Sequence, residues 1–206
     1  MLSTKQVFDY SNDNYYREGE LHAREGVITA IAVGYGQPNK FGTQRDVILQ
    51  VTVNRGQFDV PVMIEGNYRR DESGKITGWG GLFRIALLLE SCGISTEVGD
   101  DGRIPREALE QLVGKKVVTL SVPYEAKEGG GYKYFTYPTI LGFLDEEGNE
   151  REFADVAKDL IARFYADQYA YNRYLSVVGV KEEDPKKEEG WETITIDEAD
   201  IDEIPF

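Results

Sequence analysis

Aromatic and basic side chains lie close together in three stretches of the sequence, in predicted loops or at predicted strand ends. An aromatic ring can stack on an unpaired base, at about 1–3 kcal/mol per base, and a neighbouring cation can neutralise a phosphate. Recognition of a duplex would not need the rings, so the combination predicts binding of a single-stranded polynucleotide. The candidate residues are Tyr35, Lys40, Phe41 and Arg45; Tyr68, Arg69, Arg70, Lys75 and Trp79; and Lys127, Tyr132, Lys133 and Tyr134.

Each of these residues also has a plainer explanation. Aromatic residues favour strands, where they pack in a core, so a ring on a strand is as readily structural as it is a stacking surface. The Tyr68-Arg69-Arg70 segment lies in a polar stretch, where solvated charge alone would explain its arginines.

Residue types for catalysis or metal binding are scarce. The chain has one histidine, His22, and one cysteine, Cys92, so it holds no zinc set of the Cys/His type, and any Ser/His/Asp triad would depend on His22 alone. The glycine clusters do not continue into phosphate-binding loops, and the acidic turns lack the spacing of a calcium loop. We therefore expect no catalytic residue, metal or cofactor; carboxylates that meet in space around a metal ion are the alternative.

The C-terminal end combines apolar groups with a flexible acidic leader. Residues 181–206 carry eleven acids against three lysines and end on Ile204-Pro205-Phe206. Phe206 can fill an apolar pocket while its α-carboxylate meets a basic rim, and the leader charges steer the encounter. The segment is thus predicted to be a docking peptide, with a simple solubilising tail as the alternative. The predicted partner-binding residues are Asp200, Asp202, Glu203, Ile204, Pro205 and Phe206.

The net charge of −14 opposes nucleic-acid binding unless the cations are concentrated on one face. Residues 181–206 account for −8 of this charge, which leaves −6 for the other 180 residues. Strand binding therefore requires that the cations of the body share one surface.

The elements that must position these residues are mainly β with some α. Hydrophobic periodicity predicts three strands, two short helices, two strands and one long helix. The first strand is centred on 27–33 and is followed by a long loop; the others cover 46–53, 58–65, 116–123 and 132–143, and the helices cover 82–90, 105–113 and 151–178. This order is that of an OB-type barrel of five strands, with inserted short helices and a C-terminal helix; another small barrel is the alternative.

The domain organisation follows from the same pattern. We expect an N-terminal arm over 1–20, the OB domain over 21–145, the C-terminal helix over 146–180 and a disordered acidic tail over 181–206. The apolar stripe of the long helix is expected to pack on the barrel, and a dimer seam is the alternative. Cys92, in an apolar run, is expected to be a buried and inert thiol. No signal peptide or membrane span is apparent, so a cytoplasmic location is expected.

The last five residues, Asp202-Glu203-Ile204-Pro205-Phe206, resemble the acidic tip of bacterial single-stranded DNA-binding proteins. The segments 81–88 and 112–117, with the Tyr/Lys-rich last hairpin, are similar to bacteriophage single-stranded DNA-binding proteins with an OB fold. The inserted helices and the long helix depart from the bacterial pattern, so the tetramer of those proteins is not carried over.

The resemblance implies protection of exposed strands during replication, recombination or repair, without strong sequence preference. It also implies tail contacts with a polymerase, primase, helicase or nuclease, and a location in the host cytoplasm if the protein is phage-encoded. We expect a non-catalytic monomer or dimer. The two alternatives are an acidic protein-interaction adaptor without DNA binding, and a nucleic-acid enzyme with a carboxylate metal site.

Overall fold

The computed structural model describes residues 20–56, 58–125 and 132–178. Strands predominate, as the sequence predicts, and two helices lie at the C-terminal end. In chain order the elements are β1 (His22–Pro38), β2 (Gln44–Asn54), β3 (Asp59–Gly66), β4 (Arg69–Arg70), β5 (Ile76–Gly78), α1 (Phe83–Ser91), α2 (Arg106–Glu110), β6 (Lys116–Glu125), β7 (Tyr132–Leu141), α3 (Phe153–Ala166) and α4 (Gln168–Val178).

The five long strands form one antiparallel sheet in the order β3-β2-β1-β6-β7. β1 belongs to both halves of this sheet, because residues 22–27 pair with β6 and residues 27–38 pair with β2. β3 and β7 approach within 8 Å between Cα atoms, but no ladder joins them in the described part of the chain. The sheet is therefore open at this point, and a closed OB barrel is not what the structure shows.

The strand pattern creates the main hydrophobic core. Val47, Leu49, Val51 and Val53 alternate with more exposed residues along β2 and are fully buried, which confirms the predicted face. α1 adds further buried side chains to the same core, Ile85 among them. At about 1.5–3 kcal/mol for each large aliphatic side chain, this burial is the main term that holds β1 to β3 in place.

A second core lies between β6, β7 and the C-terminal helices. Leu120 of β6 faces this core with Leu160 and Phe164 of α3, all fully buried. The apolar stripe of the C-terminal region thus packs on the sheet, as predicted. The predicted single helix over 151–178 is wrong, however, because the chain leaves helical geometry at Asp167 (ψ 86°) and restarts as α4.

The first strand and the segment after β3 also differ from the sequence prediction. β1 continues through Gly34 and Gly36 to Pro38, since its ladder with β2 runs on to the Pro38–Gln44 pair. The predicted long loop after the first strand is therefore a turn of five residues, 39–43. Residues 69–78 form the small β4–β5 hairpin, which was not predicted.

Candidate nucleic-acid interface

The turn after β1 presents an exposed ring beside a cation. Phe41 is 79% exposed, and Lys40 Nζ lies 5.0 Å from the centroid of its ring. Asn39 Oδ1 accepts hydrogen bonds from the backbone N–H groups of Phe41 and Thr43, each at 3.0 Å, so the turn is internally braced. A ring held in this way can stack on a base without first losing much conformational freedom.

The predicted cations of this region fall into two groups. Lys40, Arg69 and Lys75 are exposed and form no ion pair with any residue that the structure describes. Arg45 and Arg70, in contrast, are held by carboxylates: Arg45 Nε lies 3.5 Å from Glu65 Oε1, and Arg70 donates to both Asp46 oxygens at 2.6 and 2.9 Å. Lys40, Arg69 and Lys75 can therefore bind a phosphate without first breaking an ion pair, whereas Arg45 and Arg70 cannot.

Asp46 is the centre of the second group. Its hydrogen bonds from Arg70 lower the pKa of the Asp46 carboxyl; partial burial acts in the opposite direction, and a bond from the Tyr68 N–H at 2.9 Å lowers it further. The carboxylate therefore stays ionised and keeps its arginine. Arg70 already makes to Asp46 the pair of hydrogen bonds that it could otherwise make to a phosphate. Phosphate binding would therefore require Arg70 to leave Asp46.

The three predicted rings Tyr35, Tyr68 and Trp79 lie in different environments. Tyr68 is only 6% exposed, and its hydroxyl accepts a hydrogen bond from Ile104 N at 3.0 Å; as a core residue it cannot stack on a base, which corrects the prediction. Tyr35 lies in β1 and not in a loop, with its ring partly exposed near α2. Trp79 is partly buried and lines an open cavity of about 580 Å³ with Tyr68, Ile76 and Val98.

The outer face of β1, β2 and β3 carries an uncharged strip between the two ends of these strands. Residues that pair directly share one face of a sheet. The register therefore places side chains in two complete rows and part of a third, all on the face opposite to the main core. The uncharged strip consists of Ala30, Thr52 and Pro61; Ala32, Gln50 and Met63; and Gly34 and Ile48.

The third row ends on Glu65, which is bound by Arg45 and by Asn39 Nδ2 at 2.6 Å. The strip itself thus holds no carboxylate. The methyl groups of Ala30 and Ala32 and the lack of a side chain at Gly34 make its β1 side shallow, and Met63 is 47% exposed on its β3 side.

A second basic and aromatic group lies where β2 turns into β3. Arg55 reaches across to β6, where its Nη1 donates to Ser121 Oγ at 2.9 Å. Burial, together with the positive charge of Arg24, lowers the pKa of Arg55 to about 10, so the guanidinium is still charged at neutral pH. Phe58, on the other side of the turn, is 53% exposed. We call Arg24, Arg55, Phe58 and Ser121 the polar end of the sheet.

Tyr134 is the member of the third predicted stretch whose side chain the structure describes. Its ring centroid lies 5.4 Å from that of His22, which is opposite Ser121 in the ladder, so Tyr134 borders the polar end. The backbones of Tyr132 and Lys133 in β7 pair with those of Glu125 and Tyr124 in β6, but the side chains of Tyr132 and Lys133 lie outside the described part of the structure. Lys127 and the tail residues 197–206 lie outside the described residues altogether.

Arg55 and Phe58 are not among the binding residues predicted from the sequence. The pattern that identified the other stretches, a cation close to a ring at a predicted strand end, is present at 55–58 as well. The predicted residues thus divide between two regions, with Lys40, Phe41, Arg69 and Lys75 among the β1–β2 turn and the β4–β5 hairpin, and Tyr134 at the polar end.

The structure places His22 and Cys92, the residues considered for catalysis or metal binding, in buried positions. No group of three or more His, Cys, Asp or Glu side chains among them is arranged to hold a metal ion. His22 is 1% exposed, and burial raises the pKa of the Cys92 thiol to about 11, so this thiol is a buried and unreactive one, as predicted. No helix in the described ranges has the length and apolar content needed to cross a membrane.

Comparison with known proteins gives no relative from which a function could be transferred. No protein-family model matches this chain. No curated protein is significantly similar to it.

Proposed function

We propose that this protein binds single-stranded DNA along the uncharged strip, as a non-catalytic protein that protects exposed strands during replication, recombination or repair. The supporting observation is the distribution of charge. In a chain of net charge −14, eight residues on three adjacent strands form a surface without a carboxylate, and exposed Phe41 and Phe58 lie near its two ends.

The topology supports the same proposal. An OB fold is a partly open five-stranded barrel that binds oligonucleotides over its second and third strands and the loops between strands one and two and between four and five. Opening an OB barrel between its third and fifth strands would give the order β3-β2-β1-β6-β7, with β6 and β7 as the fourth and fifth strands. The binding strands would then be β2 and β3, which carry most of the strip.

Few free cations imply binding that depends on stacking as much as on charge. Lys40 in the β1–β2 turn and Arg69 and Lys75 in the β4–β5 hairpin are the predicted cations without a carboxylate partner among the described residues, and Arg70 links this hairpin to Asp46 of β2. Ring stacking tolerates any base, because every base has a π face, so we propose little sequence preference.

We further propose that residues 197–206 recruit a polymerase, primase, helicase or nuclease through Ile204-Pro205-Phe206, in the cytoplasm of the cell. The proposal rests on the apolar side chains of Ile204 and Phe206 after an acidic leader. Deletion of 197–206 should abolish capture of such partners from a lysate while oligonucleotide binding persists. Retention of the same partners by the truncated chain would contradict it.

A fluorescence titration with labelled oligo-dT tests strand binding directly. Phe41→Ala removes the most accessible ring near the strip and should weaken binding about five- to hundredfold, in line with the stacking energy of one base. Tyr169→Ala is the matched control, because Tyr169 is 81% exposed but lies on α4. Equal affinity of wild type and Phe41→Ala would show that the Phe41 ring does not stack on a base. Absence of binding by the wild type would favour the protein-interaction adaptor. Strand cleavage in Mg²⁺ or Mn²⁺ would favour the enzyme.

A further inference from the structure

The Arg55 side chain has hydrogen-bonding capacity that the described structure does not use. Its Nη1 donates to Ser121 Oγ at 2.9 Å. Its Nε and Nη2 are both buried, with less than 1 Å² of accessible surface each, and neither has an acceptor. Buried donors without a partner are uncommon in folded proteins and destabilise the folded state, so a ligand that binds these two nitrogens would explain their position.

The two unused nitrogens lie on the same edge of the guanidinium. In arginine the Nε–H bond and one N–H bond of Nη2 point in parallel directions and match the two oxygens of one oxyanion. Ser121 occupies Nη1, outside this edge. The free edge is thus the one that forms bidentate contacts with phosphates and carboxylates.

The charge of Arg55 has no counter-ion among the described residues. No carboxylate that the structure describes forms an ion pair with Arg55, and the neighbouring charge that acts on it most, that of Arg24, has the same sign. A buried cation without a counter-ion is costly, so the free edge of Arg55 favours an anion. A phosphate has more oxygens than a carboxylate, so it can bind both N–H groups of this edge and still accept a hydrogen bond from the Ser121 hydroxyl.

We propose that Arg55, with Ser121 and Arg24 beside it, forms an oxyanion site that takes a phosphate group, either from a polynucleotide backbone or as free phosphate. The site stands on its own geometry and does not depend on strand binding by the uncharged strip.

The first experiment is an NMR titration of protein labelled with ¹⁵N-arginine. Inorganic phosphate is added at constant ionic strength, and the Arg55 Nε–Hε resonance is identified by its absence from Arg55→Lys. We expect a saturable shift of this resonance, with about fivefold weaker affinity in Ser121→Ala, as the loss of one hydrogen bond near 1 kcal/mol implies. Arg106→Lys, a change at an exposed arginine of α2, should leave the response unchanged. An Arg55 resonance that does not move, or that moves equally with chloride, overturns the proposal.

The second experiment distinguishes the two sources of phosphate. Oligo-dT replaces inorganic phosphate, and the same wild-type resonance is followed. A shift that inorganic phosphate then competes away assigns the site to a polynucleotide backbone, whereas a response to inorganic phosphate alone assigns it to a free ion; both support the site. Absence of oligo-dT binding, with the phosphate response intact, would contradict the proposed function and leave this site in place. If Arg55→Lys does not fold, Ser121→Ala still tests the site in the folded chain.

Discussion

Arg55 illustrates at the level of one residue how binding and stability can conflict. Its guanidinium is mostly withdrawn from water yet has a single hydrogen bond, so the folded state bears a desolvation cost that an apolar side chain of similar length would not. Natural proteins retain such residues where function needs them.

We therefore expect Arg55→Met to raise the free energy of unfolding by about 1–3 kcal/mol and to abolish the phosphate response. Urea denaturation at pH 7 measures the first effect, and the NMR titration measures the second. Arg106→Met, at an exposed arginine, should change stability by less than about 0.5 kcal/mol. A clear loss of stability in Arg55→Met would mean that the guanidinium is better satisfied than its hydrogen bonds indicate.

Two arginines near the strip allow a matched comparison. Arg69 has no carboxylate partner among the described residues, whereas Arg45 is paired with Glu65. Arg69→Gln should weaken oligo-dT binding about uniformly across sequences and reduce the salt slope by about 0.7 to 1, as expected for loss of one phosphate contact. Arg45→Gln should change both quantities less. Titrations of both variants at two salt concentrations measure the difference, and the reverse order of effects would contradict it.

At this scale the type of a residue is predictable from the sequence, but its burial often is not. The ring and the cation at 40–41 were predicted, and both are exposed in the structure. The burial of Tyr68 could not be predicted, because it depends on Ile104, which lies 36 residues further along the chain.

Among the elements, the break between α3 and α4 is explained by one carboxylate. Asp167 accepts hydrogen bonds from Arg84 at 2.6 Å, Tyr137 at 3.0 Å and Ala170 N at 3.0 Å, and the last of these caps the start of α4. Helical periodicity continues through this point in the sequence. The break could not be predicted from it, because Arg84 lies 83 residues earlier in the chain.

We expect Asp167→Asn to lower the free energy of unfolding at pH 7 by about 1–2 kcal/mol, discounted because the pair with Arg84 reaches solvent. Burial acts to raise the pKa of the Asp167 carboxyl, but the bonds from Ala170 N, Tyr137 and Arg84 together outweigh it and leave the pKa lowered. The stabilisation is thus present above the ordinary aspartate pKa and is lost as the pH falls through the lowered one.

Denaturation of wild type and Asp167→Asn from pH 7 to pH 3 measures this dependence. The difference between them should be largest at pH 7 and should shrink below about pH 4. Asp155→Asn is the control, because the Asp155 side chain forms its ion pair with exposed Lys158 and should contribute little. A difference that stays constant with pH would show that the carboxylate charge of Asp167 is not what matters.

On the scale of the whole molecule, the negative charge is concentrated in the tail, residues 181–206. The tail holds −8 of the net −14, so any cation that faces a polynucleotide also attracts the tail. With three unpaired cations near the strip, the slope of log K against log salt for oligo-dT should be about −2, much shallower than for a strongly basic protein.

Deletion of 197–206 should then tighten oligo-dT binding at low salt or leave it unchanged, because the tail acids compete with phosphate for the same cations. The effect should vanish as salt is raised, since screening removes the competition. Fluorescence titrations of both chains at two salt concentrations measure it. Clearly weaker binding by the truncated chain would contradict the competition.

The overall architecture was predictable in part. Alternation along β2 and the apolar runs of α1 and α3 indicate the strands, the helices and the cores that they form, because these depend on local periodicity. The opening between β3 and β7 and the meeting of Arg55 with Ser121 could not be predicted, since they depend on how far the sheet curls, and 66 residues separate the last two.

The double pairing of β1 has a consequence for the order in which the protein assembles. β1, β2 and β3 follow one another in the chain, so their ladders join residues that are close in sequence. The ladder between β1 and β6 joins residues about 95 apart, such as Arg24 and Thr119, and carries a larger loop-closure entropy. The three-stranded meander can therefore form first, during synthesis of the chain and before β6 has been made. The polar end, which needs Ser121, would then be among the last parts to form.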